Sequence, residues 1–154
     1  TAGIYRERKR SLYEGGVRVP AFCVYPNGIE AEQKTDFPSF TSDYLPTIVD
    51  MLKLDFPDER PIDGVSLTTV LNGKEEARIK PMGFQYAGKM SWVTQEYKLI
   101  STDKGITFEL YNLLNDPGEL KNIIAENLEL AKDMKTDLLA WVESCKQSKN
   151  GNDY

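Results

Sequence analysis

The chain has 154 residues, of which 40% are hydrophobic and 28% are charged, and its formal net charge is −5. This length allows one domain with a substantial core, because a chain of this size buries roughly 70% of its unfolded surface. The mild negative charge gives no electrostatic footprint for nucleic acid, and no apolar run approaches the roughly 18 residues of a membrane span.

The first predicted element is a strand that follows a charged loop. Residues 9–20, "KRSLYEGGVRVP", contain three cations, one carboxylate and a double glycine. Gly15 and Gly16 permit backbone conformations that are closed to other residues, which suits a sharp turn into a strand. The β-rich, apolar residues 17–26 predict that strand, buried in a sheet.

Two helical segments follow the strand. Ser42 is a good N-cap, and Asp43 suits the first turn of the helix that it would begin. The apolar residues of this helix recur at spacings of three and four on one face: Leu45, Ile48, Val49 and Leu52. A shorter helical turn is predicted within residues 65–71 and ends at an Asn-Gly pair.

The second half of the chain predicts strands and then a long helix. Aromatic and β-branched residues at 82–88, 91–101 and 107–114 predict an antiparallel meander. Residues 116–119, "DPGE", have the pattern of a capping box ahead of the helix. The apolar stripe of that helix is Ile124, Leu128, Ala131, Met134, Leu138, Val142 and Cys145. The predicted class is α+β, an antiparallel sheet of about three to four strands packed by a long C-terminal helix.

Residues with recognisable catalytic spacing are absent from this sequence. Histidine, the commonest general base and metal ligand, does not occur. There is no nucleophile elbow and no phosphate-binding glycine loop. The carboxylates that could bind a metal are scattered through loops and helix ends: Asp43, Asp50, Asp55, Asp58 and Asp63. We therefore predict no metal site and no cofactor on this chain.

The charged run at residues 6–10, "RERKR", has two interpretations on composition alone. It could be a solvated charge run, which is the ordinary role of such a segment. Alternatively, its cations could reach an anion at the edge of a sheet, with Glu14 pairing locally with Arg18 or Arg10.

Four stretches, in order and in register, decide between these interpretations. Residues 7–20, "ERKRSLYEGGVRVP", resemble a signature of the type I sulfatases of the alkaline phosphatase superfamily. Residues 41–52 resemble the D-x-x-P-T helix of that family. Residues 62–74 resemble its D-G-x-S-L-x-P-L-L-x-G segment, with Thr69 where proline is usual. Residues 97–123 resemble its Y-K-L, E-L-Y-D-L and D-P-x-E-x-x-N-L ending. Together these motifs cover nearly the whole chain.

The resemblance implies a sulfuric ester hydrolase that acts on sulfated sugars or aryl sulfates. In the family, Ca²⁺ and a formylglycine residue act together with basic residues on the sulfate. Lys9 matches the family lysine that contacts the sulfate and assists the leaving oxygen. Glu14, Gly15, Gly16 and Arg18 match the motif as scaffold of the same loop. Residues 81–92 further resemble the branch that contains N-acetylgalactosamine-6-sulfatase and arylsulfatase A.

The resemblance also implies that other catalytic residues lie upstream of Thr1, because the family's nucleophile, metal ligands and histidines are not matched here. We expect residues 1–75 to be the C-terminal remnant of the large catalytic α/β domain, with one strand and one helix, and residues 76–154 to be the C-terminal subdomain. The partner would be the N-terminal catalytic portion, without which the chain is expected to be inactive. The strand at 17–24 would then be exposed and could form a dimer. A periplasmic or secreted location follows from the resemblance alone.

Two other functions remain open. The chain could be a non-catalytic carbohydrate-binding or interaction module, in which Lys89, Trp92 and Tyr86 around a strand turn touch a sulfated sugar. For Trp92, the competing interpretation is packing within the sheet. The chain could also be part of a phosphate-monoester or phosphonate hydrolase of the same superfamily, which only the upstream nucleophile would distinguish.

Overall fold

A computed structural model describes residues 2–55, 61–74 and 77–152. These residues form two compact units, one made of the residues up to 19 and from 83 onward, the other of residues 20–82. The α-helices described are α1 (Glu14–Val17), α2 (Tyr44–Met51), α3 (Thr68–Leu71) and α4 (Leu128–Lys149). The strands described are β1 (Met82–Tyr86), β2 (Lys89–Val93), β3 (Tyr97–Ser101) and β4 (Glu109–Asn112). The predicted boundary between residues 75 and 76 lies outside the described residues, so the predicted domain assignment stays a prediction.

The four strands form one sheet in the order β1-β2-β3-β4, with β2–β3 and β3–β4 antiparallel. The predicted α+β class and meander are therefore confirmed. The prediction that residues 91–101 form a single strand is wrong, because these residues are divided between β2 and β3. At the turn between these strands, the Thr94 hydroxyl accepts hydrogen bonds from the N–H groups of Glu96 and Tyr97, at 3.3 and 2.9 Å. This side chain satisfies backbone donors that the ladder would otherwise use.

Helix α4 covers one face of the sheet, as predicted. Its buried residues are Ala131, Met134 and Leu138, which share a core with apolar side chains from three strands. The sheet contributes Met90, Trp92, Leu99 and Leu110. The spacing of three and four along α4 places its buried residues on a single stripe, while lysines and glutamates occupy the exposed side.

The opposite face of the sheet is covered by the N-terminal segment of the chain, which the sequence did not predict. Lys98 lies opposite Tyr111, and Ile100 lies opposite Glu109, so these four side chains share that face. Leu12 and Tyr13 pack with Ile100 and Tyr111 in a second apolar cluster. The charged N-terminal residues therefore belong with the C-terminal sheet.

The long helix begins later than predicted. The predicted capping box at residues 116–119 is a turn, and α4 begins at Leu128 after a short 3-10 helix, Ile124–Glu126. Glu119 has a left-handed φ of 54° and a buried side chain. Because Glu119 is held in a buried contact elsewhere, it cannot act as the N3 residue of a cap.

The predicted buried strand at residues 17–26 is wrong. The short helix α1 ends at Val17, and no strand is described from there to residue 26. The side chain of Phe22 is 94% exposed, and Val19 and Val24 are also exposed. High β-propensity reflects packing against neighbouring strands, and none of the described strands pairs with this segment.

The unit of residues 20–82 is organised around a buried ion pair. Arg78 donates to both oxygens of the Asp43 carboxylate, at 2.9 and 3.0 Å. The same carboxylate accepts the N–H groups of Phe40 and Val65. Asp43 is thus a buried organising residue, whereas the sequence suggested only a first-turn position. The predicted turn at 65–71 is confirmed as α3.

Helix α2 confirms the first of the two predicted helical segments, although it begins at Tyr44 after a 3-10 turn, Thr41–Asp43. Its buried residue is Thr47, whose hydroxyl accepts the N–H of Leu67. Most of the predicted apolar face is exposed: Leu45, Ile48 and Leu52.

Among the described residues, no helix combines the length and apolarity that crossing a bilayer requires.

Candidate functional site

The loop at residues 6–11, here called the Lys9 loop, presents the predicted sulfate-binding lysine. Lys9 is exposed in a turn, between two residues with left-handed backbones, Glu7 at φ 63° and Arg10 at φ 75°. The N–H of Ser11 donates to the Arg8 carbonyl at 3.1 Å and closes the turn. Residues with side chains rarely adopt positive φ, so the loop needs support from its surroundings.

The double glycine supplies part of this support by allowing close approach. A Cβ atom on Gly15 would overlap the carbonyl oxygens of Arg6 and Glu7, and one on Gly16 would overlap the Ser11 carbonyl. The N–H of Gly15 also donates to the Arg6 carbonyl at 2.8 Å. Both glycines lie in the right-handed helix α1. Their role is therefore steric, whereas the sequence predicted an unusual backbone conformation.

A buried ion cluster, made of Glu14, Lys98 and Glu119, lies beneath the loop. The Lys98 ammonium is 2.9 Å from Glu14 Oε1 and 2.9 Å from Glu119 Oε1, and its side chain is 0% exposed. Glu119 Oε2 accepts the Glu14 N–H at 2.6 Å. Burial raises the pKa of the Glu119 carboxyl, and the positive charge of Lys98 opposes the rise.

A second polar cluster holds the start of the loop against strand β4. The Glu109 carboxylate accepts the hydroxyls of Tyr13 and Tyr111, at 2.5 and 2.8 Å. Arg6 donates to the Tyr111 hydroxyl at 2.7 Å, and its guanidinium lies 3.9 Å from the centre of the Tyr13 ring. Burial, and then the bond to Glu109, raise the pKa of Tyr111 to about 12 and raise the pKa of Tyr13 as well.

The structure brings most of the predicted residues together. Arg18 lies 3.6 Å from Glu14, so the predicted local pair is present. The Lys89 ammonium donates to the Arg10 carbonyl at 3.0 Å and therefore contacts the Lys9 loop. Trp92, in contrast, is 9% exposed in the core, with its ring centre 6.0 Å from that of Trp141. This position favours sheet packing over sugar contact for Trp92.

Four supporting residues were missed by the sequence interpretation, although each lies in a motif that it recognised. Lys98 belongs to the Y-K-L motif, Glu109 and Tyr111 to the E-L-Y motif, and Glu119 to the D-P-x-E motif. One signal could have been used: a lysine inside an otherwise apolar strand needs a buried partner. The identity of that partner was not visible in the sequence.

The residues described here do not fit a metal centre. No group of three or more carboxylate, cysteine or histidine side chains that could hold an ion occurs within the described ranges, and Asp58 lies outside them. The Lys9 loop itself is rich in cations, which repel a metal ion. We therefore assign no step of a reaction to a metal held by this part of the chain.

Comparisons with known proteins agree with this architecture. The family model described as N-sulphoglucosamine sulphohydrolase, C-terminal, matches residues 3–144. A protein of Formosa agariphila named sulfatase is 35% identical to the chain, with 89% of this chain and 29% of the relative covered. An N-acetylglucosamine-6-O-sulfatase of Bacteroides thetaiotaomicron is 30% identical, with 94% of this chain and 28% of the relative covered.

A solved structure shows the same fold. It comes from a study of the metabolism of multiple glycosaminoglycans by Bacteroides thetaiotaomicron. It superimposes with a TM-score of 0.78 at 23% identity, covering 92% of this chain and 32% of that one. The chain spans less than a third of the length of each of the two relatives, at 29% and 28%.

Proposed function

Because the chain belongs to the family of N-sulphoglucosamine sulphohydrolase C-terminal regions, we propose that it is the C-terminal part of a sulfatase, an enzyme that hydrolyses sulfuric esters. The observation that carries this proposal is the position of Lys9, exposed at the tip of a loop whose base is anchored by buried ion pairs. A charge run whose only role is to be solvated would make exposed ion pairs, which add little stability. It would not need buried ion pairs at the base of its loop.

In this proposal, the Lys9 ammonium binds a sulfate oxygen and donates a hydrogen bond to the leaving oxygen. An ammonium is a compact cation that forms strong, charge-assisted bonds to oxyanions. Such a fixed charge is most effective where negative charge develops during the reaction. Lys89, whose side chain contacts the same loop, is proposed to lie at the edge of the substrate cleft. Trp92 is not included, because it is buried.

The nucleophile and the metal are proposed to come from an N-terminal catalytic portion. When bound there, Ca²⁺ and formylglycine would supply the Lewis acid and the attacking oxygen. Of the predicted assignment of residues 1–75 to the large catalytic domain, this proposal keeps the part from residue 20 onward, because the residues up to 19 form one compact unit with the C-terminal sheet. The exposed apolar residues of α2, Leu45, Ile48 and Leu52, are proposed to contact that portion, because exposed apolar patches mark interaction sites.

The proposed substrates are sulfated sugars or aryl sulfates. Support comes from the relative named N-acetylglucosamine-6-O-sulfatase, which aligns with nearly the whole chain at 30% identity. We also propose a periplasmic or secreted location, which rests on the sulfatase resemblance and is tested by fractionating the cells that express the full-length protein.

Substitution of Lys9 in the full-length protein tests the proposed role. We expect Lys9→Ala to lower kcat/KM for p-nitrophenyl sulfate and for glucosamine 6-sulfate by at least about 100-fold, as when one oxyanion contact is lost. Arg8→Ala is the matched control, because Arg8 is also exposed in the same loop, and it should stay within about threefold, as expected for a solvated surface charge. Equal activity of the Lys9→Ala variant and the wild type would contradict the proposal.

Two further measurements separate the alternatives. The 154-residue chain alone should not hydrolyse p-nitrophenyl sulfate above its Lys9→Ala variant. Binding of sulfated glycans by this chain in a glycan array, without hydrolysis by the full-length protein, would instead support a carbohydrate-binding module. Faster turnover of phosphate monoesters than of sulfate esters by the full-length protein would support the phosphohydrolase alternative.

A further inference from the structure

The buried ion cluster connects three distant parts of the chain beneath the Lys9 loop. Glu14 begins helix α1, Lys98 is the second residue of β3, and Glu119 lies in the turn that leads towards α4. The side chains of Lys98 and Glu119 are 0% exposed and that of Glu14 is 8% exposed. Buried charges lose their hydration, so a cluster of this kind is weak evidence for stability, and a role in holding one conformation is a second reason for keeping it.

Glu119 contacts both ends of the segment that contains Lys9. Its carboxylate accepts the Glu14 N–H at 2.6 Å, and its backbone carbonyl accepts Arg6 Nη1 at 3.3 Å. Lys9 lies between these two anchored residues. The left-handed backbone of Glu119, at φ 54°, places its carboxylate and its carbonyl where both contacts form.

The charges of the cluster are interdependent. Two carboxylates share one ammonium, and the only other cation within ion-pair distance in the described residues is Arg18, 3.6 Å from Glu14. Removal of Lys98 would leave Glu14 and Glu119 facing each other without a buried counter-charge. The base of the Lys9 loop would then separate from Glu119, and the left-handed backbones of Glu7 and Arg10 would relax.

We infer that Lys98 and Glu119 are positioning residues that hold Lys9 at a fixed place for the sulfate, an inference that rests on the function proposed above for Lys9. Neither residue is within reach of solvent, so neither contacts the substrate. They act through the backbone of α1, where Gly15 donates to the Arg6 carbonyl at the base of the Lys9 loop. Small misplacements of a catalytic group are costly, about 100-fold for a shift of about 1 Å.

Hydrogen exchange on the 154-residue chain tests the structural half of this inference without any activity. We expect Lys98→Met to speed exchange of the Gly15 and Gly16 amides by at least about tenfold, because local opening governs exchange. Lys121→Met is the matched control, since Lys121 forms an exposed ion pair with Glu126 at 3.0 Å. Exchange of the Leu99 and Ile100 amides shows whether the Lys98→Met variant is still folded. If it is not, Glu119→Gln, which keeps the shape of the side chain, is used in its place. Unchanged Gly15 and Gly16 exchange in a folded variant overturns the inference.

A double-mutant cycle in the full-length protein tests the functional half. Glu119→Gln should lower kcat/KM at least about tenfold in the wild type, and by less than about twofold when Lys9 is already alanine, because residues that act as a unit are not additive. Additive losses would overturn the inference, since a general loss of stability would act equally in both backgrounds. If Lys9→Ala alone has no effect, the proposed function of Lys9 fails and the inference fails with it. If Lys9→Ala is harmful and Glu119→Gln is not, only the inference fails.

Discussion

The carboxylate of Glu119 accepts a hydrogen bond from the backbone N–H of Glu14 at 2.6 Å, across 105 positions of sequence. This contact joins the double-glycine motif to the D-P-x-E motif. Buried hydrogen bonds to charged groups are among the stronger ones in proteins. Two stretches that resemble a sulfatase signature are therefore parts of one structural unit.

The close approach at Gly16 leads to a first prediction. Gly16→Ala should destabilise the chain by about 2 kcal/mol or more, because the added methyl would overlap the Ser11 carbonyl and the backbone would have to shift. In an ordinary helix the same change stabilises by about 0.5–1 kcal/mol. Gly3→Ala is the comparison, because its Cβ would meet open space. The φ of 64° at Gly3 makes backbone strain, and not overlap, the cost of that substitution. Urea unfolding measures both, and a more stable Gly16→Ala variant would contradict the prediction.

The buried pair of Asp43 and Arg78 leads to a second prediction. Arg78→Met should cost about 3–5 kcal/mol, since it leaves a carboxylate buried without its cation. Among the described residues, the Asp43 carboxylate would keep its bonds to the Phe40 and Val65 N–H groups. Lys132→Met, which removes an exposed pair with Glu129 at 3.8 Å, should cost less than about 1 kcal/mol.

The free energy of unfolding and the exchange of the Phe40 and Val65 amides measure the effect of Arg78→Met. Similar values for the Arg78 and Lys132 variants would show that the buried pair does not organise residues 20–82.

The raised pKa of Tyr111 predicts a pH dependence. Burial and the bond to Glu109 raise this pKa to about 12 in the folded chain, from an ordinary value of about 10. The unfolded chain therefore releases the proton first, so the stability from the tyrosine–Glu109 contact is present below pH ~10 and is lost as the pH rises toward 12. Absorbance at alkaline pH should show two late-titrating tyrosines, of which the one near pH 12 disappears in Tyr111→Phe while Tyr13 still titrates late. An unchanged titration curve in Tyr111→Phe would contradict this assignment.

The exposed segment near Phe22 predicts self-association of the isolated chain. Phe22 is 94% exposed, and Val19 and Val24 beside it are exposed as well, so burying them together is favourable. We predict that the chain dimerises and that Phe22→Ser weakens the dimer at least about tenfold, as loss of a buried aromatic side chain does. Light scattering over a concentration series measures this.

Ile106→Ser is the control for that experiment, because Ile106 is 79% exposed but lies in a different loop. A wild-type chain that stays monomeric at all concentrations would contradict the predicted dimer.

Elements whose hydrogen bonds are local could be predicted from the sequence. The stripe that includes Ala131, Met134 and Leu138 predicts a helix, because a period of 3.6 residues places all three on the same, buried face. The meander followed from alternating aromatic stretches and short turns. The start of α4 could not be predicted, because Glu119 has the residue type of a cap but is held by Lys98 and Glu14 instead.

The sequence by itself determined the class of the fold, the order of the main elements and the resemblance that identified Lys9. Periodicity, turn residues and local motifs carry that information, because they depend on neighbours along the chain. Only the tertiary structure decided what supports Lys9, why Gly15 and Gly16 are glycines, and that Trp92 is buried. These outcomes depend on which distant side chains share a buried space. A charged side chain in such a space must find its partner wherever the fold places one, and for both Glu14 and Glu119 that partner is Lys98.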